Sequence, residues 1–79
     1  MLWIYARGDQ SLRLETRFDN ETEEFVLIID PEDGSQWQIE RFKDPVLFRQ
    51  RLVALENELE SAKWQLDGPP MLLRDGWKI

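Results

Sequence analysis

Hydrophobic side chains between residues 44 and 66 recur at alternating steps of four and three. At about 100° per residue they fall on one stripe, as in an amphipathic helix that packs against a core. The stripe consists of Phe48, Leu52, Leu55, Leu59, Ala62 and Leu66. Asp44 is a favourable N-cap, and Pro45 suits the first helical position. Gly68 and the two prolines after it favour termination, so the pattern predicts a helix over residues 45–66.

Before residue 44 the hydrophobic pattern is typical of β-strands. Apolar and polar side chains alternate between residues 11 and 19, as in a strand with one buried face. The segment 25–29 is apolar at every position and predicts an interior strand. Turn sequences stand at Gly8-Asp9 and at Pro31–Gly34. We predict strands over residues 2–7, 11–19, 25–30 and 36–42.

These elements predict an α+β fold in a single small domain covering residues 1–79. Short connections favour pairing between consecutive strands, so the four strands form an antiparallel meander packed on one helix in the C-terminal half. The tail at residues 69–79 contains Leu72, Leu73 and Trp77. It is too apolar for a disordered segment, and we expect it to lie against the domain.

One helix can cover only one face of this sheet, so strand register decides which side chains face outward. Pairing Phe18 with Phe25 directs Val26 and Ile28 away from the helix. A four-residue loop at residues 31–34 would pair Ile28 with Trp37, whereas a loop one residue longer would reverse the faces of that strand.

The predicted outer patch consists of Val26, Ile28, Trp37 and Ile39. The first strand leaves two alternatives. A two-residue turn at Gly8-Asp9 places Trp3 and Tyr5 on the helix side, and a three-residue turn places them outside. The apolar tail or a partner then covers the outer patch, since contiguous apolar patches mark contact sites.

The far side of the predicted helix is a second candidate surface. Val46, Val53 and Trp64 fall within about 20° of one another there. The charges oppose the helix dipole, since Arg49 stands early and Glu60 late. This pattern predicts a partner-binding strip at Val53 and Trp64, to which an antiparallel partner helix would bind.

Composition excludes several kinds of chemistry. The chain has no Cys and no His, which removes thiolate ligands and the commonest general base and metal ligand. We expect no enzymatic activity, no metal and no cofactor. No segment approaches the ~20 apolar residues that span a bilayer, and no basic leader precedes the first strand. We expect a soluble, cytoplasmic protein without a membrane partner.

The sequence predicts a protein-interaction module that self-associates as a homodimer or binds another protein. The alternative is a binder of nucleic acid or of nucleic-acid machinery. It would act through Arg13 and Arg17 beside outward aromatics, or by acidic mimicry at residues 21–24. The net charge of −6 disfavours phosphate binding.

Overall fold

The computed structural model describes residues 1–70 and shows an α+β fold. The elements are β1 (Leu2–Arg7), β2 (Gln10–Asp19), β3 (Glu24–Asp30), β4 (Gln38–Phe42), α1 (Pro45–Ser61) and β5 (Gln65–Leu66). Within this part of the chain the strands form one antiparallel sheet in the order β4-β3-β2-β1-β5. The predicted meander followed by a helix is confirmed. The predicted tail lies, from residue 71 onward, outside the described residues.

The turn between β1 and β2 has two residues, which decides between the two alternatives for β1. Arg7 pairs with Gln10, and Gly8 has a positive φ of 63°, a conformation that glycine adopts without steric cost. Trp3 therefore pairs with Leu14, and Tyr5 with Leu12, on the helix side of the sheet.

The pairing of β2 with β3 agrees with the prediction. Phe18 lies opposite Phe25, and their ring centroids are 5.1 Å apart in an edge-to-face arrangement. Asp19 shapes the turn, because its Oδ1 accepts a hydrogen bond from the backbone N–H of Glu21 at 2.9 Å. This pairing directs Leu27 toward the helix and Val26 away from it.

The predicted register between β3 and β4 is wrong by two residues. Ile28 pairs with Ile39 and not with Trp37, and β4 begins at Gln38 rather than at residue 36. The connection is longer than predicted and opens with a side-chain turn, in which Asp30 Oδ1 accepts from Glu32 N at 2.9 Å. An even shift leaves the faces unchanged, so Ile39 still faces outward beside Ile28.

The helix begins as predicted. Asp44 is the N-cap, its Oδ1 accepts a hydrogen bond from Val46 N at 2.8 Å, and Pro45 is the first helical residue. Phe48 then enters an aromatic cluster, with its ring centroid 4.9 Å from that of Phe25 and 5.8 Å from that of Phe42. These rings join the first turns of α1 to β3 and β4.

The predicted end of the helix is wrong, because α1 ends at Ser61. Lys63 N donates to Glu60 O at 3.1 Å and Trp64 N donates to Leu59 O at 2.9 Å. These two bonds form a Schellman motif, in which Lys63, with a φ of 71°, occupies the left-handed position usually taken by glycine. The chain then turns into β5, and Leu66, predicted for the core stripe, pairs with Tyr5 and is 50% exposed.

The core lies between the helix and the inner sheet face. Its buried residues are Tyr5, Leu12, Leu14, Leu27, Leu55 and Leu59. Leu27 has no exposed surface, and Leu55, at the middle of the helical stripe, is 5% exposed. The stripe therefore packs on the sheet as its spacing predicts, up to Leu59.

Candidate interaction surface

Three charged side chains run along β2 on the outer face of the sheet. Glu15 lies between Arg13 and Arg17, because alternate residues of a strand share a face. Arg17 Nε donates to Glu15 Oε2, and Arg13 Nη2 lies 3.6 Å from Glu15 Oε1. Glu15 is only 6% exposed. The buried carboxylate is therefore compensated by two arginines, which leave a net charge of +1 on these three side chains.

Apolar side chains occupy the same face on β3 and β4. Val26 is 7% exposed, Ile39 is 57% exposed and Trp37 is 59% exposed. Trp37 and Ile28 line one shallow depression, and Ile28 and Ile39 line another. The structure thus brings the four predicted residues onto one face. Their exposure is concentrated at the β4 side, since Val26 is already covered.

Ion pairs close one end of this apolar patch. Arg41 Nη1 donates to Asp19 Oδ2 at 3.1 Å and lies 3.5 Å from Glu24 Oε1. The hydrogen bond from Arg41 holds the pKa of Asp19 below its ordinary value, and the backbone N–H groups of Glu21 and Thr22 act in the same direction. Arg41 is therefore drawn toward the β2–β3 turn.

The opposite face of β4 is held to the helix by a second ion pair. Arg51 Nε donates to Glu40 Oε1 at 2.8 Å, and Arg51 Nη2 donates to Glu40 Oε2 at 3.0 Å. This two-pronged contact lowers the pKa of Glu40 and raises that of Arg51. In the sequence, Arg51 is one of the early charges that oppose the helix dipole. The structure shows that it joins α1 to β4.

The predicted strip on the back of the helix is only partly present. Val46 and Val53 are 59% and 52% exposed, and they line a groove on the helix surface with Arg49 and Asn57. Trp64, which was predicted to lie beside them, follows the end of α1 and packs against the core. The helix-back strip therefore consists of Val46, Gln50, Val53 and Asn57, without the tryptophan.

Arg7 explains the position of Trp64, and the sequence pattern did not reveal it. Its guanidinium carbon lies 4.5 Å from the centroid of the Trp64 ring, and its Nη1 donates to Ala62 O at 2.9 Å. A cation at a helix C-terminus is stabilising, and α1 has no basic residue in its own last turn. Arg7 on β1 supplies that charge and holds the end of the helix against the sheet.

No protein-family model, curated protein or solved structure matches this chain. In residues 1–70 no helix has the length and apolar character needed to cross a bilayer. The same part of the chain shows no group of three or more carboxylates placed to hold a metal ion. The structure defines an α+β domain whose antiparallel sheet packs against the helix with one face and carries exposed apolar side chains on the other.

Proposed function

We propose that this protein is a non-catalytic interaction module that self-associates through the β4 side of its outer sheet face. The contact surface, here called the β4 patch, consists of Trp37 and Ile39. The observation that carries the proposal is the half-exposed pair of Trp37 and Ile39 next to the open side of the sheet. Tryptophan is enriched in interface cores, and burying a ring of this size is strongly favourable.

The charges around the β4 patch support a protein partner over a nucleic acid. Arg13, Arg17 and Arg41 each contact a carboxylate of this chain. Phosphate binding would require these arginines to exchange their present partners, and the net charge of −6 opposes it. An apolar patch beside internally neutralised charges is suited to another protein surface. A chain without cysteine suits a reducing compartment, and the proposal places the module in the cytoplasm.

The test is the solution mass of the full chain as a function of concentration, measured by sedimentation equilibrium. We expect a dimer at high micromolar protein. We also expect the mass to change little with added salt, because burial of apolar surface is not screened as phosphate contacts are. A mass that stays monomeric up to millimolar protein would refute self-association.

A pair of double variants locates the contact. Trp37→Ser with Ile39→Ser should remain folded and become monomeric, because both side chains are largely exposed in one copy. Val46→Ser with Val53→Ser removes equally exposed side chains from the helix-back strip and should leave the dimer intact. If the helix variant alone abolishes the dimer, the contact lies on α1 and the β4 patch is ordinary surface.

A further inference from the structure

The two edge strands of the sheet differ in length, since β5 has two residues and β4 has five. At one edge, β5 pairs with Tyr5 and Ala6 of β1, and Asp67 N donates to Ile4 O at 2.8 Å. At the other edge, β4 pairs with β3 on one side and has no strand partner on its other side within residues 1–70. The main-chain N–H and C=O groups of alternate β4 residues therefore point away from the sheet.

Both charged residues of β4 are held in ion pairs within the chain. Open strands are usually guarded by proline, bulges or charges that project past the edge. Strand β4 contains no proline, and its two charged side chains are held back over its own faces. Glu40 is bound by Arg51 on the helix side, and Arg41 by Asp19 on the outer side.

We propose that β4 pairs antiparallel with β4 of a second copy of this chain, with the two-fold axis at Ile39. This inference rests on the proposed function, since it specifies the geometry of the self-association. The sheets of the two copies would then be continuous. The exposed Ile39 side chains would lie opposite each other at the centre of the contact.

Side-chain alternation limits the possible registers. Residues directly opposite each other in an antiparallel pair have side chains on the same side of the sheet. A two-fold axis therefore lies between the two copies of one β4 residue, and that residue is opposite itself. An axis at Glu40 or at Arg41 would place like charges directly opposite each other, which is destabilising. An axis at Gln38 would pair only Gln38 with itself within β4, whereas the axis at Ile39 pairs three residues of each strand, Gln38, Ile39 and Glu40.

The axis at Ile39 places no like charges opposite each other. Gln38, whose Nε2 donates to Glu40 Oε2 of its own copy at 2.9 Å, lies opposite Glu40 of the second copy. Trp37, the residue before β4, comes opposite Arg41 of the second copy, and the guanidinium keeps its hydrogen bond to Asp19 of its own copy. The outer side of the contact then contains the isoleucine pair flanked by two Trp37–Arg41 pairs. This is the arrangement of an apolar centre with a polar rim.

Cysteine cross-linking tests this geometry, because the chain contains no cysteine of its own. Directly opposed residues of an antiparallel pair have Cβ atoms about 4.5–5.5 Å apart, close to the span of a disulfide. Ile39→Cys under mild oxidation should therefore convert to a covalent dimer that a thiol reductant reverses. Circular dichroism of the reduced variants checks that each one is folded.

Ile28→Cys is the matched control on the neighbouring strand. In the proposed dimer its two copies are separated by three strand spacings of about 4.8 Å, which no disulfide spans. We expect it to remain monomeric on a denaturing gel. If Ile28→Cys cross-links as readily as Ile39→Cys, the outer faces stack on each other and the edge-to-edge geometry is wrong.

Gln38→Cys tests the register. It should not cross-link to itself when the axis is at Ile39, and efficient cross-linking there would overturn the proposed register. If the wild-type protein dimerises but a folded Ile39→Cys variant does not cross-link, the edge geometry is refuted and the proposal of self-association is retained. A wild-type protein that stays monomeric would refute self-association itself, so the two failures are distinguishable.

Discussion

The two faces of this sheet consist of alternate residues of the same strands, but their side chains are removed from water in different ways. On the inner face, Leu14 is 2% exposed and Leu27 is fully buried beneath α1. On the outer face, the middle strand carries a buried glutamate between two arginines, and β4 leaves Ile39 57% exposed. One short helix supplies cover for one face only. Ion pairs between Glu15 and two arginines occupy the centre of the other face, and within residues 1–70 its β4 side remains exposed.

The largest expected difference between the faces concerns buried volume. Leu27→Ala should lower the free energy of unfolding by about 2–5 kcal/mol, because it opens a cavity at a fully buried site. Ile39→Ala on the outer face should cost less than about 1 kcal/mol in the monomer, since much of that side chain is already in water. Urea denaturation at low protein concentration measures both. Equal losses would mean that the two faces are equally packed.

The charged centre of the outer face should have an intermediate effect. Glu15→Ala should lower the free energy of unfolding by about 1–3 kcal/mol, because Arg13 and Arg17 lose a shared carboxylate partner. Glu15→Gln is the control, since it keeps the shape and one acceptor and should lose less. A loss below about 0.5 kcal/mol for Glu15→Ala would show that this residue behaves as ordinary surface.

Acid should weaken the attachment of β4 to the helix. The pKa of Glu40 is lower in the folded chain than its ordinary value of 4.5, so the pair with Arg51 stabilises above that pH. The contribution is lost as the pH falls through the lowered pKa. Glu40→Gln should cost about 0.5–1 kcal/mol near neutral pH and less in acid, as measured by urea denaturation at several pH values. A cost that does not change with pH would contradict the ion pair.

A gain of stability of similar size is expected at the end of the helix that covers the inner face. Lys63→Gly should raise the free energy of unfolding by about 0.5–1 kcal/mol, because a φ of 71° strains a residue with a side chain. Ser61→Gly, at the last helical residue, is the control and should lower stability instead. Thermal unfolding of the three proteins compares them directly. A loss for Lys63→Gly would show that the lysine side chain contributes more than the strain costs.

The outer face was partly predictable from the sequence. Val26, Ile28 and Ile39 share it because side-chain alternation survives an even error in the register of β4. The burial of Glu15 was not predictable, because a charged residue at an alternating position of a strand usually lies on the solvated face. In the structure, Arg13 and Arg17 both form ion pairs with it. The position of Trp64 was also hidden, because it depends on Arg7 from a distant strand.

The sequence by itself determined those features that neighbouring residues create. The start of α1 depends on a side chain and an N–H two residues apart, at Asp44 and Val46, and it was predicted correctly. The amphipathic stripe likewise placed Leu55 in the core. Local hydrogen bonds and local periodicity need no knowledge of the rest of the chain.

Only the tertiary structure decided where α1 stops and where β4 begins. Gly68 and the two prolines after it predicted a later helix end, but residues 65 and 66 pair instead with Tyr5 and Ala6 of β1. The pairing of Ile28 with Ile39, in place of the predicted pairing with Trp37, was likewise decided by the folded sheet. Both outcomes depend on contacts between segments far apart in the chain, whose energies a local pattern does not contain.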